Sequence, residues 1–136
     1  MTTVHEKQDV ALMAHLLRRA GFGATPAEMD RAMDIGYDAM LDELLNPDHP
    51  DVIPEDHIRR YHVDQSDLRS NGGAHWVYRL VMTDTPLREK MCLFWHRIFA
   101  TAATKLIQNK PVTNQISMFR DHGMGSFDTL LLELSR

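Results

Sequence analysis

Apolar residues recur along this chain at spacings of three and four, which is the period of an amphipathic α-helix. In residues 9–20, Met13, Leu17 and Ala20 fall on one face, and Arg18 lies on the other. We find neither a pair of strand-like segments nor an internal repeat. The pattern therefore predicts an all-α protein.

Glycine and capping residues divide the chain into short helices. Thr25, Pro26 and Glu28 match a capping box with proline at the first helical position. Gly36 and Gly123 are positioned to end two helices, since glycine readily takes the C-cap conformation. We predict an irregular bundle of six or seven helices without a sheet. The expected helices cover about residues 9–20, 26–35, 37–45, 73–82, 86–108, 111–122 and 126–136.

Residues 46–72 have a different character, with three prolines, many acidic residues and little apolar periodicity. We interpret them as one long loop, and a loop of this length in a compact chain is usually functional or partly disordered. The loop carries His49, His57 and His62 among acidic residues. Their spacing matches no zinc or calcium motif. A solvated acidic loop without a metal is the favoured interpretation.

The segment "PLREKMCLFWHRIFAT", residues 86–101, is apolar on two sides and predicts a central, buried helix. We expect Phe94, Trp95 and Ile98 in its broad inward stripe, with Trp95 packed against the helix that carries Trp76. From that helix we expect inward packing by four residues: Trp76, Val77, Leu80 and Val81. Cys92 is expected to be buried and unreactive.

Glu89 and His96 are the candidate catalytic pair of this helix. They are seven residues apart, on one face and about 10 Å apart along the axis. One interpretation is a general acid–base histidine with a carboxylate nearby. The other, which we favour, is a buried histidine held by a hydrogen bond within the bundle.

Two weaker candidate sites lie elsewhere. His75 could meet His96 across two antiparallel helices as a metal site or proton relay, but the pair lacks the spacing of a helical zinc site. Arg18 and Arg19 could form an anion-binding corner with the following glycines. No strand precedes those glycines, so they are not a dinucleotide fingerprint. We favour the interpretation that the glycines form a turn and that the arginines face solvent or pair with acidic residues.

Composition narrows the function classes. The 136 residues suffice for one domain, and a net charge of -4 argues against a nucleic-acid binder. No apolar run approaches the length of a membrane span. The single cysteine excludes an internal disulfide, and the N-terminus has no secretory leader pattern. The cytoplasm is therefore the default compartment, and no cofactor is expected.

Three motifs resemble the opening segments of the bacterial domain-of-unknown-function family 1800: "HLLRRAGFGATPAEMD", "TPLREKMCLFWHRIFAT" and "FRDHGMGSFDTLLLELSR". The resemblance implies a mostly helical fold and a protein several times longer than this chain, of which this would be the N-terminal portion. It brings no established activity, cofactor or catalytic set. Family members are often encoded beside a sulfatase-like family, and many are exported.

One position departs from the family pattern. The family commonly has a second histidine two residues after the Trp-His pair, where this chain has Ile98. That difference argues against a metal held by those two positions.

Two functions remain open. The favoured hypothesis is a helical structural or interaction module whose partner is the remainder of a longer chain. The alternative is the N-terminal part of a hydrolase-like enzyme with His96 and Glu89 near its site. We also expect self-association of the isolated segment through an exposed apolar face, chiefly Leu130, Leu131 and Leu134.

Overall fold

The computed structural model describes residues 4–49, 51, 53, 68–99 and 110–136, and every regular element in these ranges is an α-helix. The all-α prediction is confirmed for this part of the chain. The helices are α1 (Val4–Ala20), α2 (Pro26–Ile35), α3 (Tyr37–Leu45), α4 (Leu68–Met82), α5 (Pro86–Ile98), α6 (Lys110–His122) and α7 (Phe127–Leu134). None of these helices combines the length and the apolar character that crossing a membrane requires.

Local signals place α2 and α7 well. Thr25 accepts the backbone N–H of Glu28, and the Glu28 carboxylate accepts the backbone N–H of Thr25, so the predicted capping box is present. At the start of α7, Ser126 accepts the backbone N–H of Thr129. These caps satisfy amides that have no partner inside the helix, which is why they mark helix starts reliably.

Three helix boundaries differ from the predicted ones. α1 begins at Val4 rather than near residue 9, because residues 5–9 are all polar and give no apolar signal. α4 begins at Leu68, so residues 68–72, which the sequence pattern assigns to the loop, belong to the helix. α5 ends at Ile98, where the backbone N–H of Phe99 closes the last turn on Trp95. Residues 100–108 lie outside the described residues.

The first core lies between α1, α2 and α3. Its seven buried residues are Met13, Leu16, Leu17, Ala20, Ala32, Met40 and Leu44. Leu87 of α5 packs against them. At the same junction, Lys90 Nζ donates hydrogen bonds to the carbonyls of Arg18 and Gly21. A lysine at these carbonyls satisfies the C-terminal end of α1 and complements its dipole.

The second core lies between α5, α6 and α7. Cys92, Phe119 and Leu130 are its buried residues, and Trp76 and Trp95 are among the side chains packed against them. α5 contacts α1, α3, α4 and α6. It is therefore the central helix, with one part of its surface in each core.

The predicted inward faces of α4 and α5 are partly wrong. Val77 and Val81 are 59% and 76% exposed, and Phe94 and Ile98 are 49% and 53% exposed. The inward side of α5 is instead the one that carries Glu89 and Cys92, both 0% exposed. Because a carboxylate is buried on this side, the spacing of apolar residues alone does not indicate which side of α5 faces inward.

The C-terminal apolar face also differs from expectation. Leu130 is 1% exposed and belongs to the second core, and Leu134 packs against that core. The exposed leucines of α7 are Leu131 and Leu132, at 40% and 62%. Of the three leucines expected to be exposed, only Leu131 is, because Leu130 and Leu134 lie on the inward side of the helix.

Candidate functional site

Glu89 lies in the first turn of α5 and is completely buried. A carboxylate in the first turn is favoured by the helix dipole. That interaction alone does not offset the cost of removing a charge from water, so a buried carboxylate requires cationic or hydrogen-bonding partners. Such partners come from the two neighbouring helices.

The Glu89 carboxylate is bound by three side chains. Trp76 of α4 donates its indole N–H to Oε2 at 3.1 Å. Arg120 of α6 donates its Nε–H to Oε1 and its Nη2–H to Oε2, the latter at 3.2 Å. Arg79 of α4 places its Nε 3.7 Å from Oε1. We call Trp76, Arg79, Glu89 and Arg120 the polar cluster; it joins α4, α5 and α6.

The charges of this region balance. The side chains of Arg79 and Arg120 are each 14% exposed, and a second carboxylate, that of Asp51, lies 3.6 Å from Arg79. Burial lowers the pKa of the Arg120 guanidinium, but its hydrogen bond to Glu89 and the Glu89 charge outweigh this, so the pKa is raised. Two cations thus face two anions, the arrangement that makes buried charges tolerable.

His96 does not pair with Glu89. Its ring lies edge-on to Trp76, with the ring centroids 5.2 Å apart. His96 Nδ1 is buried and has no hydrogen-bond partner within the described ranges. Glu89 is thus paired with Trp76 and the two arginines. Among the described residues, Nδ1 of His96 does not make the hydrogen bond that we expect for this side chain.

Trp95 stacks with aromatic rings at the end of α5 and in α7 rather than with Trp76. Its ring stacks with those of Phe99 and Phe127, at centroid distances of 6.1 and 5.7 Å. Its indole N–H donates to the carbonyl of Gly123 at 2.8 Å. A Cβ at Gly123 would lie 2.8 Å from Trp95 Cδ1, so the close approach requires glycine. The next residue, His96, contacts Trp76 instead, because adjacent helical residues point about 100° apart.

The remaining candidates lie on separate parts of the chain. Arg18 and Arg19 are exposed in the last turn of α1, and His75 is half-buried in α4. His49 is exposed, whereas His57 and His62 lie outside the described residues. Among the described residues, no three His, Cys, Asp or Glu side chains are grouped so that they could hold a metal ion.

Sequence reasoning missed Arg79, Arg120 and Asp51. The available signal was Glu89 itself, because a carboxylate on a central, buried helix requires a cationic partner. Arg79 follows Trp76 by three residues and so shares its helical face. Nothing comparable marks Arg120 or Asp51, whose places depend on tertiary packing.

Cys92 borders the polar cluster and donates its S–H to the carbonyl of Ile116 at 3.3 Å. Burial raises the pKa of the Cys92 thiol to about 12.

Only the thiolate is nucleophilic, so we expect alkylation of Cys92 at pH 8 to be slower than for a free thiol by about three orders of magnitude. Mass spectrometry after iodoacetamide treatment measures this, with the urea-unfolded protein as the fast-reacting control. Labelling at the free-thiol rate in the folded protein would contradict a structural role for Cys92.

A family model described as "Protein of unknown function (DUF1800)" matches residues 15–136. Neither the curated proteins nor the solved structures contain a significant match to this chain. The family match agrees with the three motifs noted in the sequence and carries no assigned activity.

Proposed function

We propose a structural, contact-forming role for this chain, which belongs to the DUF1800 family of proteins of unknown function. The chain is a helical module whose interior is held by the polar cluster and whose exposed apolar surface packs against the remainder of a longer protein. The resemblance to the family implies such a longer protein.

The observation that carries this proposal is the engagement of Glu89. Both carboxylate oxygens accept hydrogen bonds, Oε1 from Arg120 and Oε2 from Trp76 and Arg120. A general acid or base needs an oxygen free to reach a substrate proton. A carboxylate that joins three helices and is 0% exposed is better suited to holding them in place than to proton transfer.

The surface for contacts is formed by α5 and α7. Phe94 and Phe127, 49% and 52% exposed, flank Trp95 at centroid distances of 5.0 and 5.7 Å. Ile98 lies one turn beyond Phe94 and is 53% exposed. We call Phe94, Ile98 and Phe127 the aromatic face. Exposed apolar groups that lie together are typical of surfaces covered by a partner.

Cysteine labelling tests whether the aromatic face is covered. In the full-length protein, Ile98→Cys is expected to react with a maleimide at least about tenfold more slowly than Leu12→Cys, because burial of a thiol restricts access to it. Leu12 is a matched control on α1, since it is 52% exposed against 53% for Ile98.

The isolated module supplies the comparison for that experiment. There, both introduced thiols are expected to react rapidly, while Cys92 stays unlabelled. Equal rates for Ile98→Cys and Leu12→Cys in the full-length protein would show that the aromatic face is open and would overturn the proposed role. Slow labelling that appears only at high concentrations of the module would identify self-association.

A second candidate function is the N-terminal part of a hydrolase-like enzyme. The observation that favours it is the buried His96 Nδ1, which has no partner in the described part of the chain. A substrate or a downstream residue could supply one. An activity of the full-length protein that His96→Gln abolishes while the unfolding midpoint stays unchanged would select this function over the structural one.

A further inference from the structure

A groove lies between α2, α3 and the turn that follows α4. Its volume is about 460 Å³, which is within the range of small-molecule sites. Its apolar floor comes from α1, α3 and the start of α5, and includes Leu17, Met40, Leu44 and Pro86. The first three of these residues belong to the first core. The floor is therefore held in place by packing that the fold itself requires.

The walls of the groove carry side chains of both charges. Arg31 of α2 donates hydrogen bonds from Nη2 to both carboxylate oxygens of Glu43 on α3, at 2.8 and 2.7 Å, so these two charges neutralise each other. The other carboxylates of the walls are those of Glu28 in α2 and Asp84 after α4, and the other ionisable residue is His49. With the histidine neutral, three carboxylates against one guanidinium leave two negative charges at the groove.

Glu28 and Asp84 lie at the mouth of the groove, because both line it and both are exposed. Oε2 of Glu28 accepts the backbone N–H of Thr25 at 2.6 Å, and this hydrogen bond lowers the pKa of the Glu28 carboxyl below its ordinary value. The Glu28 side chain is therefore negatively charged at neutral pH. A ligand that enters above the apolar floor meets carboxylates from two separate elements of the chain.

The helix ends around the groove do not reverse this charge. The C-terminal ends of α3 and α4 favour a cation, whereas the N-terminal ends of α2 and α5 favour an anion. Because these contributions oppose each other, the charged side chains decide which ligands are attracted. The surrounding surface has the same sign, since residues 26–45 contain six acidic residues and one basic residue. A surface of one sign raises the local concentration of ions of the opposite sign.

We propose that this groove binds an organic cation, namely a primary amine or a guanidinium carried on an apolar body. The apolar body packs on the floor formed by Leu17, Met40 and Leu44, and the cationic group lies at the mouth with Glu28 and Asp84. A neutral ligand of the same shape keeps the apolar contacts but lacks the charge pairing, and an anionic one is repelled. The site is separate from the polar cluster, so the proposal does not depend on the structural role of Glu89.

Binding of three small probes to the full-length protein tests the proposal. The probes are phenethylamine as the cation, phenethyl alcohol as its neutral counterpart and hydrocinnamate as the anion. Met40 is part of the floor, so the NMR signal of its isotope-labelled methyl group, identified with Met40→Leu, reports binding in the groove itself. We expect a saturable shift with phenethylamine, at a Kd at least about fivefold below that of the alcohol, and no saturable shift with hydrocinnamate. High salt should reduce the difference between amine and alcohol.

Neutralising variants show whether the two carboxylates select the ligand. Glu28→Gln keeps a side chain that can complete the capping box, and Asp84→Asn keeps the backbone N–H that donates to Asp51. The double variant is expected to raise the Kd for phenethylamine by about tenfold and to leave that for phenethyl alcohol unchanged. Asp30→Asn is the matched control, because Asp30 is an exposed acidic residue of α2 outside the lining of the groove. Equal affinities for amine and alcohol, an equal effect of Asp30→Asn, or no saturable shift at Met40 would overturn the proposal.

Discussion

Glu89→Gln is expected to lower the free energy of unfolding by about 3–5 kcal/mol, the usual cost of breaking a buried ion pair on one side. The amide keeps the shape of the carboxylate but removes its charge and replaces one acceptor with a donor. That donor must then face donors of Trp76 or Arg120, and the guanidinium of Arg120 loses its hydrogen-bonded anion. The loss is a large fraction of the stability of a small domain.

Urea unfolding followed by circular dichroism measures this effect. Glu43→Gln is the control, because Glu43 also pairs with an arginine, Arg31, but at the surface, with side chains 36% and 58% exposed. Surface pairs contribute about 0–1 kcal/mol. If the two variants were equally stable, the polar cluster would not hold the helices together, and the proposed structural role of Glu89 would fail.

Trp95→Ala is expected to cost about 3–5 kcal/mol, the range for removal of a large aromatic side chain from a core. The ring packs against the second core, stacks with Phe99 and Phe127, and its N–H satisfies the carbonyl of Gly123. Truncation would leave a cavity and an unpaired carbonyl at the end of α6. Thermal and urea unfolding report the change.

Two further variants separate the contributions. Trp95→Phe keeps most of the ring but loses the N–H donor, so it leaves the same carbonyl unsatisfied as the truncation does, at roughly 1–3 kcal/mol. We expect it to cost less than Trp95→Ala, because most of the packing of the ring is kept. Phe94→Ala removes a neighbouring ring that is 49% exposed and should be close to neutral. A cost for Phe94→Ala equal to that of Trp95→Ala would contradict the assignment of Trp95 to the core.

Short-range chemistry explains what could be predicted of the fold. The start of α2 depends on Thr25, Pro26 and Glu28, which are close in sequence and act through their own backbone. The buried face of α1 follows from spacing alone, since Met13, Leu16 and Leu17 are all buried. Where a helix meets one core, the apolar pattern is sufficient to orient it.

The candidate site could not be predicted to the same degree. Arg120 is 31 residues from Glu89, and Trp76 is 13 residues away, so their meeting depends on how three helices pack. The orientation of α5 also differs from the predicted one, because His96 rather than Trp95 lies against Trp76, and Trp95 stacks with Phe127. In a helix with apolar residues on two sides, the position of a buried charge decides the rotation, and hydrophobic spacing does not reveal it.

The place of α5 has a consequence for how the protein melts. Leu87 contributes to the first core and Cys92 to the second, and Lys90 between them is bonded to the end of α1. If α5 separates from one core, it also exposes apolar surface of the other core. The two cores should therefore unfold in one cooperative step. A destabilising substitution near α7 should then lower the stability of α1 as much as that of the helices beside the substitution.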